Sequence, residues 1–405
     1  MEVALIVRSL GRNRLGALLI GLQIAFTLAI VSNSLSIIEQ HLQHMARPTG
    51  FDEANIGVLH NQWIGQPDDL KARVLEDLAA LRSVPGVVSV EATNSFPLEG
   101  SGWITALQLT PDQQSATTQS AVYFVDGGGL SAFGLRLTAG RWFRAGEIGE
   151  VRDDETKFPD QVIVTRSLAQ ALFPSTNPLG QVVYFGQSPP ARIIGIVERA
   201  QTPSASQTRD HAGVENASFF PYLYLGNDTM YVVRTTPGRL TSVLQTAQEK
   251  LLKVTPQRII NWSRTFAEMR RIAYESERKE SVVLGIVCGL LLTVTALGVV
   301  GLTSYWVSQR TRYIGMRRAL GAQRSDILRY FHLENLIIAG IGAVLGIALG
   351  VSGNIWLAAS FSITRMDTGF VGAGAAIVLA LCQAAVIWPA LRAASISPAM
   401  AFRTR

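Results

Sequence analysis

Arg310-Thr311-Arg312-Tyr313-Ile314-Gly315-Met316-Arg317-Arg318-Ala319-Leu320-Gly321-Ala322 decides how this chain is read. The stretch sets four arginines among small and apolar residues, between two long uncharged runs. Its residues favour helix as far as Gly321, which suits the position just past a helix end, where a side chain would clash and glycine does not. Ser325 then suits the cap of a second short helix carrying Ile327, Leu328 and Phe331 into the next apolar run. A rigid basic helix trapped between two membrane spans can pass force between a cytoplasmic partner and the bilayer.

Working outward, the run before this stretch covers Ser281 to Ser308, and two runs follow it, Asn335 to Thr364 and Thr368 to Leu391, separated by a segment with Arg365 and Asp367. A fourth lies near the start, where Leu15 to Ile38 carries no charge for roughly 24 residues, enough to cross a hydrocarbon core of ~30 Å with some tilt. A secretory signal is the competing reading of that first run; the run exceeds the usual ~7 to 15 residues and no clear A-x-A site follows. Spans are therefore expected at 15–38, 281–308, 335–360 and 369–391, with a short external loop at 361–368. Arg8, Arg12 and Arg14, the arginines of 309–334, and Arg392, Arg403 and Arg405 all fall on one side, which the positive-inside rule makes cytoplasmic. Residues 1–14 are expected as a cytoplasmic amphipathic N-terminus, in which Met1 to Leu10 suit a short helix on the bilayer surface, and 392–405 as a cytoplasmic tail.

Composition agrees with few spans and a large aqueous domain. The chain has 405 residues, 48% hydrophobic and 16% charged, with net charge +6 and a mean hydropathy of +0.24. That is apolar for a soluble protein and polar for one made only of spans. The cations cluster beside apolar runs, which points to membrane orientation and away from nucleic acid. Cys288 and Cys382 both lie in apolar runs, so the aqueous domain has no disulfide.

Residues 39–280 read as that aqueous domain, α/β in type. It opens strand, helix, strand: Ile56 to Leu59, Asp69 to Leu81 with Leu70, Val74, Leu78 and Leu81 on one face, and Val87 to Val90 after a Pro85-Gly86 turn. It closes the same way, with a strand at Met230 to Arg234, a helix from Leu240 to Lys253 and a strand at Arg258 to Asn261. The two halves pair into a split βαβ sheet with a β-rich part, 97–220, inserted between them. Within the insertion Ala121 to Val125, Gln161 to Val164, Val182 to Phe185 and Arg192 to Val197 read as strands, Ser167 to Leu172 as a helix, and Val197 to Gly213 as a surface loop. Thr265 to Glu280 is expected to run as helix, unbroken by Pro or Gly, into the second span.

Gly342, Gly346 and Gly350 share one face of the third span, and Gly285 and Gly289 one face of the second, where backbones can approach closely. Packing within the chain is the plainer reading, a subunit interface the sharper one. The spans hold no ionisable residue in their middles, only Gln23, Asn33, Asn354 and Gln383, which argues against ion coupling and for helix-packing hydrogen bonds. Tyr305, Trp306 and Trp388 are expected as interfacial anchors. The residues include no G-x-x-x-x-G-K-[ST] loop, so no ATP site and no other cofactor is expected on them, and the chain is read as not an enzyme. Gly127-Gly128-Gly129 reads as a turn, and His41 with His44 as a solvated pair with no metal.

Several motifs carry a resemblance. Thr311-Arg312-x-Ile314-Gly315-x-Arg317-Arg318-Ala319-Leu320-Gly321-Ala322 resembles the cytoplasmic loop of MacB-like (FtsX-like) ABC transporter permeases. Phe133-Gly134-Leu135 with Ala139-Gly140-Arg141, Asn177-Pro178-Leu179-Gly180, and Ile193-Ile194-Gly195-Ile196-Val197 resemble the family's extracytoplasmic domain in order and spacing. Ile396-Ser397-Pro398-Ala399 with Ala401 and Arg403 resembles its tail. Two positions depart: Tyr313 and Met400 stand where the family often has Glu.

The resemblance implies an α+β membrane protein of the bacterial inner membrane, with four spans and an extracytoplasmic domain of porter-like and sabre-like parts. It also implies a cytoplasmic ATP-binding subunit docked on a coupling helix, Ile314, Gly315, Met316, Arg317, Arg318, Ala319, Leu320, Gly321 and Ala322. A second permease, identical or not, a periplasmic adaptor and membrane lipid complete the partners it implies, with no nucleic acid. The expected function is ATP-driven mechanotransmission that expels a substrate such as an antimicrobial compound or peptide. A regulator of cell-envelope partners and a membrane-anchored receptor are the alternatives; the receptor lacks a cytoplasmic output domain.

Overall fold

The computed structural model describes residues 14–65, 69–205, 213–361 and 366–395. The expectations for 1–14, for most of the 392–405 tail, for the centre of the 361–368 loop and for part of the Val197 to Gly213 loop lie outside them.

The chain runs α1 (Arg14–Met45), β1 (Ile56–Trp63), α2 (Leu70–Arg82), β2 (Val87–Thr93), β3 (Ile104–Gln108) and β4 (Thr118–Phe124). It continues through α3 (Gly129–Ala132), β5 (Leu137–Gly140), β6 (Gly149–Arg152), β7 (Gln161–Thr165), α4 (Arg166–Leu172), β8 (Val182–Phe185) and β9 (Ala191–Val197). After β10 (Ala217–Phe220), β11 (Tyr222–Leu225), β12 (Asp228–Thr235), α5 (Leu240–Val254) and β13 (Arg258–Thr265), it is helical: α6 (Phe266–Ala273), α7 (Glu275–Gln309), α8 (Thr311–Ala319), α9 (Arg324–Phe361) and α10 (Thr368–Ala394). Contacts divide it into two units, 1–43 with 277–405, and 44–276.

The 44–276 unit is built on a four-stranded antiparallel sheet in the order β13-β1-β12-β2. This is two strand-helix-strand halves interleaved, as the split βαβ pattern demands. Alternation along the strands gives each face its own core. Leu59, Trp63, Val90, Ala92, Tyr231 and Val233 pack under α2 and α5, and Ile56, Val58, Met230 and Val232 pack against Phe96, Tyr123, Phe133 and Phe219 of the insertion. Between β1, α2 and β12 sits a fully buried ion pair: both Arg258 amino groups donate to Asp77 at 2.7 Å, and the Tyr231 hydroxyl donates to the same carboxylate at 2.6 Å. The Arg258 guanidinium also lies 4.2 Å over the Trp63 ring. Removing either charge alone strands the other in an apolar core.

The insertion leaves the sheet after Thr93 and returns at Asp228, so it is wider than the expected 97–220. Its strands follow the order β5-β9-β7-β10-β4-β3-β8, and β8 also pairs with β9, which closes six of them into a ring around Val122, Val162, Val164, Phe185, Ile193 and Phe220. A two-stranded piece, β11 with β6, stands beside it.

Among its described residues the other unit has four helices long and apolar enough to cross a membrane. They hold 32, 35, 38 and 27 residues, and at 1.5 Å per residue the first three exceed a ~30 Å hydrocarbon core by roughly 18 to 27 Å. Ile20, Ile24 and Leu28 of α1, Val299 and Trp306 of α7, Ala339 and Ala343 of α9, and Val378, Cys382 and Val386 of α10 form its core.

Five sequence expectations need correction. The helix from Thr265 to the second span is broken at Tyr274 (φ −106, ψ 14); Thr265 ends β13 and caps α6 in a capping box with Glu268. Ser325 caps no separate helix, because α9 is continuous from Arg324 and the Asp326 carboxylate reaches back to accept from the Gln323 N–H at 2.8 Å. His41 and His44 are both buried. Nδ1 of His41 bonds the Ser281 hydroxyl at 3.1 Å, and Nε2 of His44 the Ala205 carbonyl at 3.0 Å. Trp306 is no interfacial anchor but fills the bundle core beside Gly16, while Tyr305 and Trp388 are exposed. Gly129 opens α3 where a plain turn was expected.

Candidate functional site

The basic stretch forms α8, a nine-residue helix between the two longest helices. Arg310 is its N-cap residue, with its N–H still bonded to the Trp306 carbonyl at 3.1 Å and its carbonyl accepting from Ile314 at 2.9 Å. At the far end Leu320 and Ala322 donate back to Met316 and Arg317, and Gly321 stands at φ +98, a conformation that favours glycine. Ile314 and Gly315 are buried; Tyr313, Met316, Ala319, Leu320 and Gly321 are exposed; Arg317, Arg318 and Ala322 are half-buried. The stretch thus has one side packed and one side open, with apolar side chains on the open one.

Arg317 is engaged within the chain. Its guanidinium lies 5.4 Å from the Tyr313 ring and 5.6 Å from the Tyr330 ring, contacts worth roughly 0.5 to 1 kcal/mol at an exposed site. A residue that the sequence reading missed is Glu334 on α9, which is 1% exposed. Its two oxygens accept from the Arg310 Nη1 at 3.0 and 2.9 Å. The signal was present, since Glu334 is the last acid before an uncharged run and a carboxylate there needs a partner.

The glycines of the third span lie against α1. A Cβ at Gly342 would stand 2.8 Å from the Gly21 carbonyl oxygen, and one at Gly346 would stand 2.8 Å from that of Ala25. Gly350 is looser, at 3.4 Å from the Ala29 Cα. Gly285 and Gly289 meet nothing within 4 Å. The midspan amides bond across helices: Gln23 to the Val294 carbonyl at 3.0 Å, Asn33 to the Gly350 carbonyl at 3.1 Å, and Asn354 to Asn33 at 3.2 Å. Gln383 meets His332 at 2.9 Å. Gln23, Asn33 and Asn354 are thus taken up in helix packing, while the Gln383 amide nitrogen is left without a partner.

In the extracytoplasmic unit three of the resemblance motifs converge on one strand pair. Gly140 of β5 lies opposite Gly195 of β9, and a Cβ at Gly140 would stand 2.2 Å from the Ile194 carbonyl oxygen. Arg141 beside them holds Glu147 through two bonds of 2.7 and 2.6 Å. That pairing, with the Arg144 N–H, brings the Glu147 carboxyl down to about 2. Gly180 donates to the Ile193 carbonyl at 2.8 Å, so the Asn177 to Gly180 turn docks on the same strand. These are structural glycines that let backbones touch. No group of three or more metal-ligating side chains occurs among the described residues.

A mixed α/β domain set between the first two of four spans defines a multi-pass membrane protein with a large extracytoplasmic domain. Family comparison specifies the class: the MacB-like periplasmic core domain matches residues 17–251, and the FtsX-like permease C-terminal region matches residues 285–398. The chain belongs to the MacB-like, FtsX-like family of ABC transporter permeases, proteins of the inner membrane. The "Macrolide export ATP-binding/permease protein MacB" of Acinetobacter baylyi is 31% identical over 245 residues, 58% of this chain and 36% of that one. "Uncharacterized ABC transporter permease YknZ" of Bacillus subtilis is 23% identical over 335 residues, 81% of this chain and 78% of that one. The chain thus spans about a third of the macrolide export relative and most of the second. The crystal structure of the extracellular domain of YknZ matches 50% of this chain and 98% of that domain at 17% identity, with a TM-score of 0.32.

Proposed function

We propose that this permease transmits the ATP-driven movements of a separate cytoplasmic ATP-binding subunit to its extracytoplasmic domain, and so expels a substrate such as an antimicrobial compound or peptide. The observation that carries the reading is α8. A short helix with a buried side and an open side of Tyr313, Met316 and Leu320 is a docking surface, and the arginines around it suit acidic or carbonyl groups on a partner. With 44–276 outside, one crossing by α7 puts α8 in the cytoplasm, where ATP is. Gln23, Asn33 and Asn354 are committed to packing, which favours a stroke delivered outward along α1 and α7 over passage through the bundle centre. Gly285 and Gly289, open on α7, are available to a second permease. The names of the macrolide exporters support the substrate class, and a periplasmic adaptor is part of the same proposal.

The test is the Arg317→Glu/Arg318→Glu double variant, reconstituted with an ATP-binding subunit that co-purifies with the wild-type chain. Loss of permease-dependent ATPase stimulation with membrane insertion intact is the expected result. Stimulation equal to wild type would mean that these arginines only set topology and bind anionic lipid.

A further inference from the structure

We infer that the Arg310–Glu334 ion pair is the positioning element that makes α8 move as one body with α7 and α9. The inference deepens the proposed function and rests on α8 as the docking helix. A helix of nine residues, about 13 Å long, hangs here between two backbone turns, one at Arg310 (φ −101, ψ 12) and one around Gly321 (φ +98). Such turns bend, so a push on α8 would be absorbed in them unless side chains brace the helix.

Braces among the described residues include Ile314 and Gly315 buried in the bundle, Arg317 over Tyr330, and Arg310 on Glu334. The third differs in kind, because it ties the turn itself to the third turn of α9. Glu334 shares its helix face with Ile327, Phe331 and Ile338, all buried. A carboxylate in that setting holds its partner far more firmly than a surface pair does, since release would leave a charge among apolar groups. The neighbours of Glu334 extend the tie: Asn335 donates to the Cys382 carbonyl at 3.1 Å, and His332 meets Gln383 at 2.9 Å, both on α10. The ion pair therefore joins the end of α7 to α9, and hydrogen bonds from the residue after Glu334 and from two residues before it carry the connection into α10. Motion of α8 is then shared by three spans.

The experiment uses the full chain in lipid nanodiscs, with Cys288 and Cys382 replaced by alanine and a nitroxide on Met316→Cys, an exposed position on α8. Glu334→Gln keeps the side-chain shape and removes the charge. The expected result is at least a threefold faster nitroxide tumbling. In an unlabelled chain that keeps Met316, assayed with an ATP-binding subunit that co-purifies with the wild type, Glu334→Gln should lower maximal ATPase stimulation at least tenfold, while the subunit concentration giving half-stimulation stays within about twofold, because docking is kept and transmission lost. The exchanged pair, Arg310→Glu/Glu334→Arg, should restore slow tumbling and most of the stimulation. Slow tumbling and full stimulation in Glu334→Gln would overturn the inference, as would an exchanged pair as mobile as the single variant. If Glu334→Gln does not insert, the exchanged pair and Arg310→Lys decide by the same readouts, a mobile exchanged pair beside a wild-type Arg310→Lys overturning it. A wild-type permease that stimulates no ATPase would sink the docking reading, while the tumbling rates would still test the brace.

Discussion

Replacing Gly346 by valine should separate α9 from α1. The first added carbon would stand 2.8 Å from the Ala25 carbonyl oxygen, 2.9 Å from the Leu28 Cβ and 3.1 Å from the Ala25 Cα. Ordinary contacts begin near 3.5 Å, so the helices must part by about 0.5 to 1 Å, and two of the three obstacles are backbone that cannot rotate away. Overpacking of this kind costs about 1 to 3 kcal/mol, and valine adds two more methyl groups. A loss of about 2 to 3 kcal/mol is expected for Gly346→Val and about 1 kcal/mol for Gly346→Ala, where the better helix propensity offsets part of the strain. Gly285→Ala, with nothing within 4 Å of the new carbon, should change stability by less than about 0.5 kcal/mol. Denaturant titration of the full chain in mixed micelles measures all three. Equal stability of Gly346→Val and wild type would refute the close α1–α9 contact, and a Gly285→Ala loss as large as that of Gly346→Val would move the tight contact to α7.

Asp77→Asn should cost about 3 to 5 kcal/mol by leaving the buried Arg258 without its counter-charge, read as faster amide exchange in β1 and β12. Asp77→Leu/Arg258→Met should recover most of it. Burial raises the Glu99 carboxyl to about 7 from its ordinary 4.5. A folded-state value above the unfolded one stabilises below the unfolded value, so that contribution, on the order of 3 kcal/mol, is full below pH 4.5 and lost as pH rises toward 7. Thermal melts across that window should show the fall, and Glu99→Gln should flatten it.

The strands and helices that flank the insertion were legible because their apolar residues follow one period each. Val74, Leu78 and Leu81 repeat at helical spacing, and β12 alternates between two cores. The ring closure of the insertion was not legible, since β8 meets β9 through a pairing of only two residue pairs that no local pattern announces. Short strands such as β5 and β6 carry too few residues to show a period. The break at Tyr274 was missed for a different reason: the sequence there lacks Pro and Gly, and the stop is set by the capping box at Thr265 and Glu268 and the turn after Ala273. At the candidate site the helix of α8 and its glycine stop could be read from residue types, with Gly321 found at positive φ. The pairing of Arg310 with Glu334 joins positions 24 apart across two turns, and only the three-dimensional arrangement brings them within 3 Å.

The proposed docking of an ATPase on α8 is tested most directly by placing a photo-crosslinking amino acid at Met316 or Leu320 in cells, with Leu252 of the extracytoplasmic domain as the control. Met316 on α8 and Leu320 at its C-cap are both exposed, Leu320 at 83%. Covalent capture of an ATP-hydrolysing polypeptide from Met316 and Leu320, and not from Leu252, is the predicted result. Absence of any such product from α8, or its capture from Leu252 alone, would contradict it.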